Sequence, residues 1–174
     1  IQLTNRMCEL RPRELETWLS HLEAATSARR LEEAETALQR IRSLEGTSGP
    51  SWMLGRAIVD LLRADGSLAP EDLRKVDQLL TGVTQQRPEW PRPHRYLGRI
   101  QELDGRFEDA IRSYSRAVEL GDRDPLVLSR YLALLNELEQ SETAESVARQ
   151  LLLEPEKFRD VREIRLAWRL AFDT

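Results

Sequence analysis

The chain has 174 residues, of which 26 are basic and 30 acidic, with a formal net charge of −4 and 40% hydrophobic side chains; this is the size of about one domain and the mixed composition of a folded globular protein. The slight acidity speaks against a nucleic-acid binder, which needs a strong basic excess or at least a basic face. One cysteine, Cys8, and two isolated histidines, His21 and His94, exclude an internal disulfide and a structural zinc set, so neither a metal nor another cofactor is expected.

No uninterrupted apolar run approaches the roughly 20 residues of a membrane span, and the first residues hold no apolar run of the signal-peptide type. The chain begins at Ile1 and is read as a processed product or a piece of a longer protein. A single cysteine suits reducing and oxidising compartments alike, with the cytoplasm as the default. The basic residues are strongly biased: 24 are Arg and 2, Lys75 and Lys157, are Lys.

In chain order, helical spacing recurs almost everywhere. Leu15, Trp18, Leu19 and Leu22 follow the i, i+3, i+4, i+7 spacing of one helix face, and Ala34, Ala37, Leu38 and Ile41 repeat it. The loop from Gly46 to Pro50 breaks the pattern, and Leu54, Ala57, Ile58 and Leu61 restart it. Asp65, Gly66 and Ser67 signal a turn, Pro70 suits the first turn of a helix, and Leu73, Val76, Leu80 and Val83 follow. Arg87 to Pro93 holds three prolines and reads as a connector. Tyr96, Ile100 and Leu103 come next, then a turn at Asp104 and Gly105, then Phe107, Ala110, Ile111, Tyr114, Ala117 and Val118. Asp124 and Pro125 open a helix with Val127, Tyr131, Leu134 and Leu138; another carries Ala144, Val147, Ala148 and Leu151; a last one, Val161 to Phe172, carries Ile164, Trp168 and Ala171. No segment alternates as a half-buried strand would. The expected class is all-α, with about nine helices.

Short helices paired by tight turns call for a search for repeats. Ala110 lies 34 residues before Ala144, and Tyr96 to Leu120 reads YLGRIQELDGRFEDAIRSYSRAVEL. Leu97 and Gly98 in the first helix, Gly105 in the turn, and Ala110, Tyr114 and Ala117 in the second make this segment resemble the tetratricopeptide repeat (TPR), a helix-turn-helix unit of about 34 residues. His94 stands where that pattern has Trp, and Gln101 where it has Tyr. Arg30 to Ala34 with Leu38 and Ile41 parallels Arg106 to Ala110 with Tyr114 and Ala117, Pro12 precedes Trp18 as Pro88 precedes His94, and Trp52 with Leu54 and Gly55 opens another unit. The resemblance covers nearly the whole chain as a single helical repeat domain, with repeats at about 11–44, 51–86, 93–120 and 124–153. Residues 1–10 read as the tail of a preceding second helix and 157–173 as a partial or capping helix. The second repeat exceeds the usual unit by about nine residues, because Ser67 to Asp72 lengthens its turn or its second helix. The resemblance implies an α-solenoid of antiparallel helix pairs; Sel1-like or half-a-TPR repeats are the alternative.

Nothing in the sequence assembles into a catalytic set. Cys8 reads as a small buried hydrophobe, and His21 and His94 lie on first helices with no nucleophile or orienting group in view. Pairs such as Glu32 with Glu33 and Glu108 with Asp109 sit near helix starts, where they favour the positive end of the dipole. Glycines occur singly, with no phosphate-cradling loop. No enzyme is expected.

The resemblance further implies that first helices line a concave groove for an extended peptide or a partner helix. Its spacing selects Glu16, Leu19 and Glu23, then Trp52, Arg56 and Val59, then Arg92, Arg95, Arg99 and Glu102, then Leu126, Ser129, Ala133 and Asn136. The expected binding residues are Trp52, Arg56, Arg92, Arg95 and Arg99, because guanidinium forks suit carboxylate and can stack on an aromatic ring; a solvated face paired with Glu89 and Glu102 is the competing reading. Arginines such as Arg29, Arg40, Arg63 and Arg149 are scattered on outward faces with no evident task. The expected function is a non-enzymatic scaffold for a protein or peptide segment, preferably acidic. The alternative is an accessory arm of a larger enzyme or regulator, and weak self-association through apolar solenoid ends at Trp168, Ala171 and Phe172 is a further expectation.

Overall fold

The computed structural model describes residues 1–64 and 68–153. The turn expected at Asp65 to Ser67, and the final helix with Trp168, Ala171 and Phe172, lie outside the described residues. Among those described, every regular element is an α-helix: α1 (Gln2–Leu10), α2 (Leu15–Ser27), α3 (Leu31–Glu45), α4 (Pro50–Arg63), α5 (Pro70–Gln86), α6 (Pro91–Leu103), α7 (Phe107–Glu119), α8 (Pro125–Glu137) and α9 (Ser141–Leu153). The architecture is an all-α solenoid of helix pairs, and the chain packs into two compact units, Ile1–Pro88 and Glu89–Thr174.

Prolines set four of the starts. Pro50, Pro70, Pro91 and Pro125 stand in the first turn of α4, α5, α6 and α8, where a missing N–H costs nothing because first-turn donors have no partner within the helix. For the same reason the connector expected over Arg87 to Pro93 is shorter than its prolines suggest. α6 opens at Pro91 and takes Pro93 into its first turn, leaving residues 87–90 between helices.

In the first unit α1 packs on α2, α2 on α3, α3 on α4, α4 on α5, and α2 also on α4. Its core is Leu19, Leu22, Ala34, Ala37, Ile41, Leu54, Ala57, Ile58, Leu80 and Val83, each nearly or wholly excluded from solvent. Gly55 marks the closest approach: a Cβ there would lie 3.1 Å from side-chain atoms of both Leu22 and Leu38. In the second unit α6 packs on α7, α7 on α8 and α8 on α9, around Ala110, Tyr114, Val127, Tyr131, Leu132, Leu134, Leu135 and Ala144.

The turn inside a pair recurs with one backbone geometry. Arg29, Gly105 and Glu139 all take the left-handed conformation, at φ 57°, 74° and 56°. The next residue then donates back across the helix end, Arg30 to Ala25 O, Arg106 to Gln101 O and Gln140 to Leu135 O, at 2.9, 2.8 and 2.8 Å. This closes a helix by a six-to-one bond, and glycine suits the left-handed position because it has no Cβ. Only the middle turn has the glycine.

Two outcomes follow. A Cβ at Gly98 would lie 2.7 Å from Tyr114 Cδ1, and that ring is 2% exposed and cannot retreat. Gly98→Ala is therefore destabilising: overpacking costs about 1–3 kcal/mol and outweighs a gain of about 1 kcal/mol in helix propensity, read as a lower urea midpoint. Glu139→Gly relieves the left-handed strain and raises the same midpoint, by up to about 1 kcal/mol.

Candidate functional site

On α4 the first unit carries Trp52 and Arg56. Glu45, the last residue of α3, folds back over the start of α4, where its carboxylate accepts from the backbone N–H of Ser51 at 2.7 Å and of Trp52 at 3.0 Å, and from the Ser51 hydroxyl at 3.1 Å. Gly49 leaves room for it, since a Cβ there would fall 2.1 Å from Glu45 Cγ. Trp52 is partly buried. Arg56 Nε donates to Asp60 at 2.7 Å, and this bond holds the guanidinium above its usual pKa. With Arg63 and, on α5, Asp72 and Lys75, the pair lines a cavity of about 380 Å³.

Two arginines without an evident task in the sequence have one. Arg63 lies 2.6 Å from Glu35 and ties α4 to α3, and Arg40 stands 6.0 Å over the Trp18 ring, tying α3 to α2.

On α6 the second unit carries Arg92, Arg95 and Arg99. Arg95 has a side chain only 17% exposed; it lies 3.5 Å from Asp122 and 2.9 Å from Asp124. Asp124 is also the N-cap of α8, accepting from Leu126 N at 2.9 Å. One aspartate thus closes α8 and fastens it to α6, and Arg95 is part of that fastening as well as of the surface. Arg95 also stacks 5.1 Å from the Tyr96 ring centroid.

Arg99 NH1 lies 3.4 Å from Glu102 Oε1, and Arg130 of α8 meets the same oxygen. The other oxygen accepts from the Tyr114 hydroxyl of α7 at 3.0 Å. The Glu102 side chain is 6% exposed, while Arg99 and Arg130 are 44% and 40% exposed. Burial raises the Tyr114 pKa far above the phenol range, with Arg99 opposing weakly, so the hydroxyl keeps its proton and remains a donor. Beside it Ser113 donates to Gln101 Oε1 at 2.6 Å.

The structure corrects the surface expected for several groove positions. Leu19, Val59, Ser129 and Glu102 are buried, as suits helices on which α2 packs directly against α4 and α8 lies against α7. Leu126, by contrast, is 65% exposed. Arg130 escaped the sequence reading because it stands one residue outside the groove spacing; its position beside Ser129 on a first helix was the available signal.

His21 and Cys8 hold α1 in place. Thr4 Oγ1 lies 2.9 Å from His21 Nδ1 and donates to Ile1 O at 2.9 Å, so the ring nitrogen is the donor to Thr4. Cys8, buried, donates from Sγ to Thr17 O at 3.7 Å, and burial pushes its thiol pKa up. Among the described residues no group of three His, Cys, Asp or Glu side chains could hold a metal ion, and no helix is long and apolar enough to cross a membrane.

No protein-family model matches the sequence, and no curated protein matches it either. Among solved structures, the crystal structure of a thermophilic TPR protein from Thermus thermophilus superposes with a TM-score of 0.66 over 99% of this chain and 89% of that one, at 15% identity. The fold is that of a TPR protein. Trp52 and Arg56 stand on α4, and Arg92, Arg95 and Arg99 on α6.

Burial lowers the His21 pKa below 6.5, opposed by Glu33 and reinforced by the N-terminal ammonium. The unfolded chain therefore takes up the proton first. Stability is full above pH 6.5, declines as pH falls through that value, and levels off below the folded pKa. Chemical unfolding across this range shows the decline in the parent and a flatter profile in His21→Asn.

Proposed function

We propose that the chain is a non-enzymatic interaction scaffold whose first-helix faces bind an acidic protein segment. TPR-like helical arrays in general suit protein interaction, and the observation that carries the acidic preference is the arginine row of α6. Arg92, Arg95 and Arg99 stand within two turns of one helix, Arg130 joins them from α8, and Leu126 adds an exposed apolar contact. Arg99 and Arg130 share the single carboxylate of Glu102, so one further carboxylate from a partner balances that pair. Trp52 and Arg56 give the first unit a smaller counterpart, in which an aromatic ring and a guanidinium stand one turn apart.

Arg99 is the residue to test. Arg95→Glu would set a third carboxylate beside Asp122 and Asp124 and loosen the start of α8, so its effect on binding could not be separated from its effect on folding. Arg99→Gln removes an exposed charge and leaves Glu102 with Arg130 and Tyr114. Isothermal titration with a short, end-blocked peptide of alternating Glu and Gly is expected to show binding that weakens with added salt and drops about tenfold in Arg99→Gln, the loss of one charge-assisted contact. Equal binding of a Gln and Gly peptide would sink the acidic reading.

A further inference from the structure

We infer that Glu102 is a positioning residue for the arginine face, a buried carboxylate that draws Arg99 of α6 and Arg130 of α8 to one point. This rests on the proposed reading for its use, but the geometry behind it does not. Each guanidinium on its own would be a long, mobile side chain with about 2 kcal/mol of rotamer freedom. Both contact the same oxygen, Glu102 Oε1, so the two charges are held a few ångströms apart despite their mutual repulsion.

The carboxylate is itself fixed from behind. Its second oxygen takes the Tyr114 proton at 3.0 Å, the Tyr114 ring presses on the bare backbone of Gly98 one turn back, and the phenol cannot ionise near neutral pH. Three helices, α6, α7 and α8, thus meet at one side chain that is 6% exposed. A buried glutamate with two arginines and a tyrosine is not needed to stabilise a helix pair, since apolar replacements of buried ion pairs are often neutral or better. What it supplies is an ordered pair of guanidiniums carrying one unbalanced positive charge and facing solvent at 44% and 40% exposure. Such a pair, ordered before binding, fits one acidic side chain of the partner and spares the entropy of arranging two flexible arginines at the moment of contact.

The experiment uses the full chain and two variants. Glu102→Gln keeps the shape and an oxygen for Tyr114 but removes the charge that gathers the arginines. Tyr114→Phe keeps that charge and removes the support behind it, and so serves as the control for a merely structural role. In arginine-selective NMR, the Nη–H signals of Arg99 and Arg130, the groups that face Glu102 Oε1, are expected to be protected from exchange in the parent and in Tyr114→Phe, and to lose protection at least tenfold in Glu102→Gln. Titration with the Glu and Gly peptide is expected to weaken about tenfold in Glu102→Gln and less than threefold in Tyr114→Phe. Arginine signals unchanged by Glu102→Gln overturn the positioning role, and so does equal weakening by the two variants. If the parent does not bind the peptide at all, the acidic-partner reading falls, while the arginine signals still decide whether Glu102 orders them.

Discussion

The ring of Tyr114 lies on the backbone of Gly98, and its hydroxyl reaches Glu102 four residues along the same helix. A larger residue at 98 would push the ring away and take the hydroxyl with it; a smaller one at 114 would leave α6 and α7 without the side chain that spaces them. The contact thus sets the distance between the two helices of the pair. The Tyr114 hydroxyl also meets the Glu102 carboxylate from behind, on the oxygen that Arg99 and Arg130 leave to it. One tyrosine thus serves both the packing of the pair and the buried side of Glu102.

The helices and their pairing were legible in the sequence because they follow from two local signals. Apolar residues at helical spacing define the buried faces, and Ala110, Tyr114 and Ala117 proved to be core residues at the positions their spacing assigns. Turn and start residues define the ends, although prolines mislead where several occur together, since a helix can accept them throughout its first turn. The polar site was less legible. Spacing says which residues share a helix face but not what covers that face, so Leu19, Val59 and Glu102, expected at the surface, are buried. Arg130 joins the site from the next pair through a carboxylate it shares with Arg99, and such a convergence depends on the packing of three helices.

The preference for arginine over lysine takes on a physical meaning once the partners are known. Arg63 with Glu35, Arg95 with Asp122 and Asp124, Arg116 with Glu89 and Arg130 with Glu102 all join one element to another. A planar fork with five donors can serve two acceptors at once, which an ammonium on a flexible stem does less well. The two pairs exposed on both sides, Arg63 with Glu35 and Arg116 with Glu89, contribute little each, about 0–1 kcal/mol.

Glu45 illustrates a different consequence of the same economy. The residue that ends α3 is also the one that satisfies the first donors of α4, so the fraying of one helix end removes the cap of the next. Amide protons at the close of α3 and at the opening of α4 should then exchange together, as a single opening unit that straddles the border between two repeats. Together with the Arg63 and Glu35 pair, this shared carboxylate couples the end of α3 to the start of α4, so the border between two helix pairs is held by polar contacts as well as by packing.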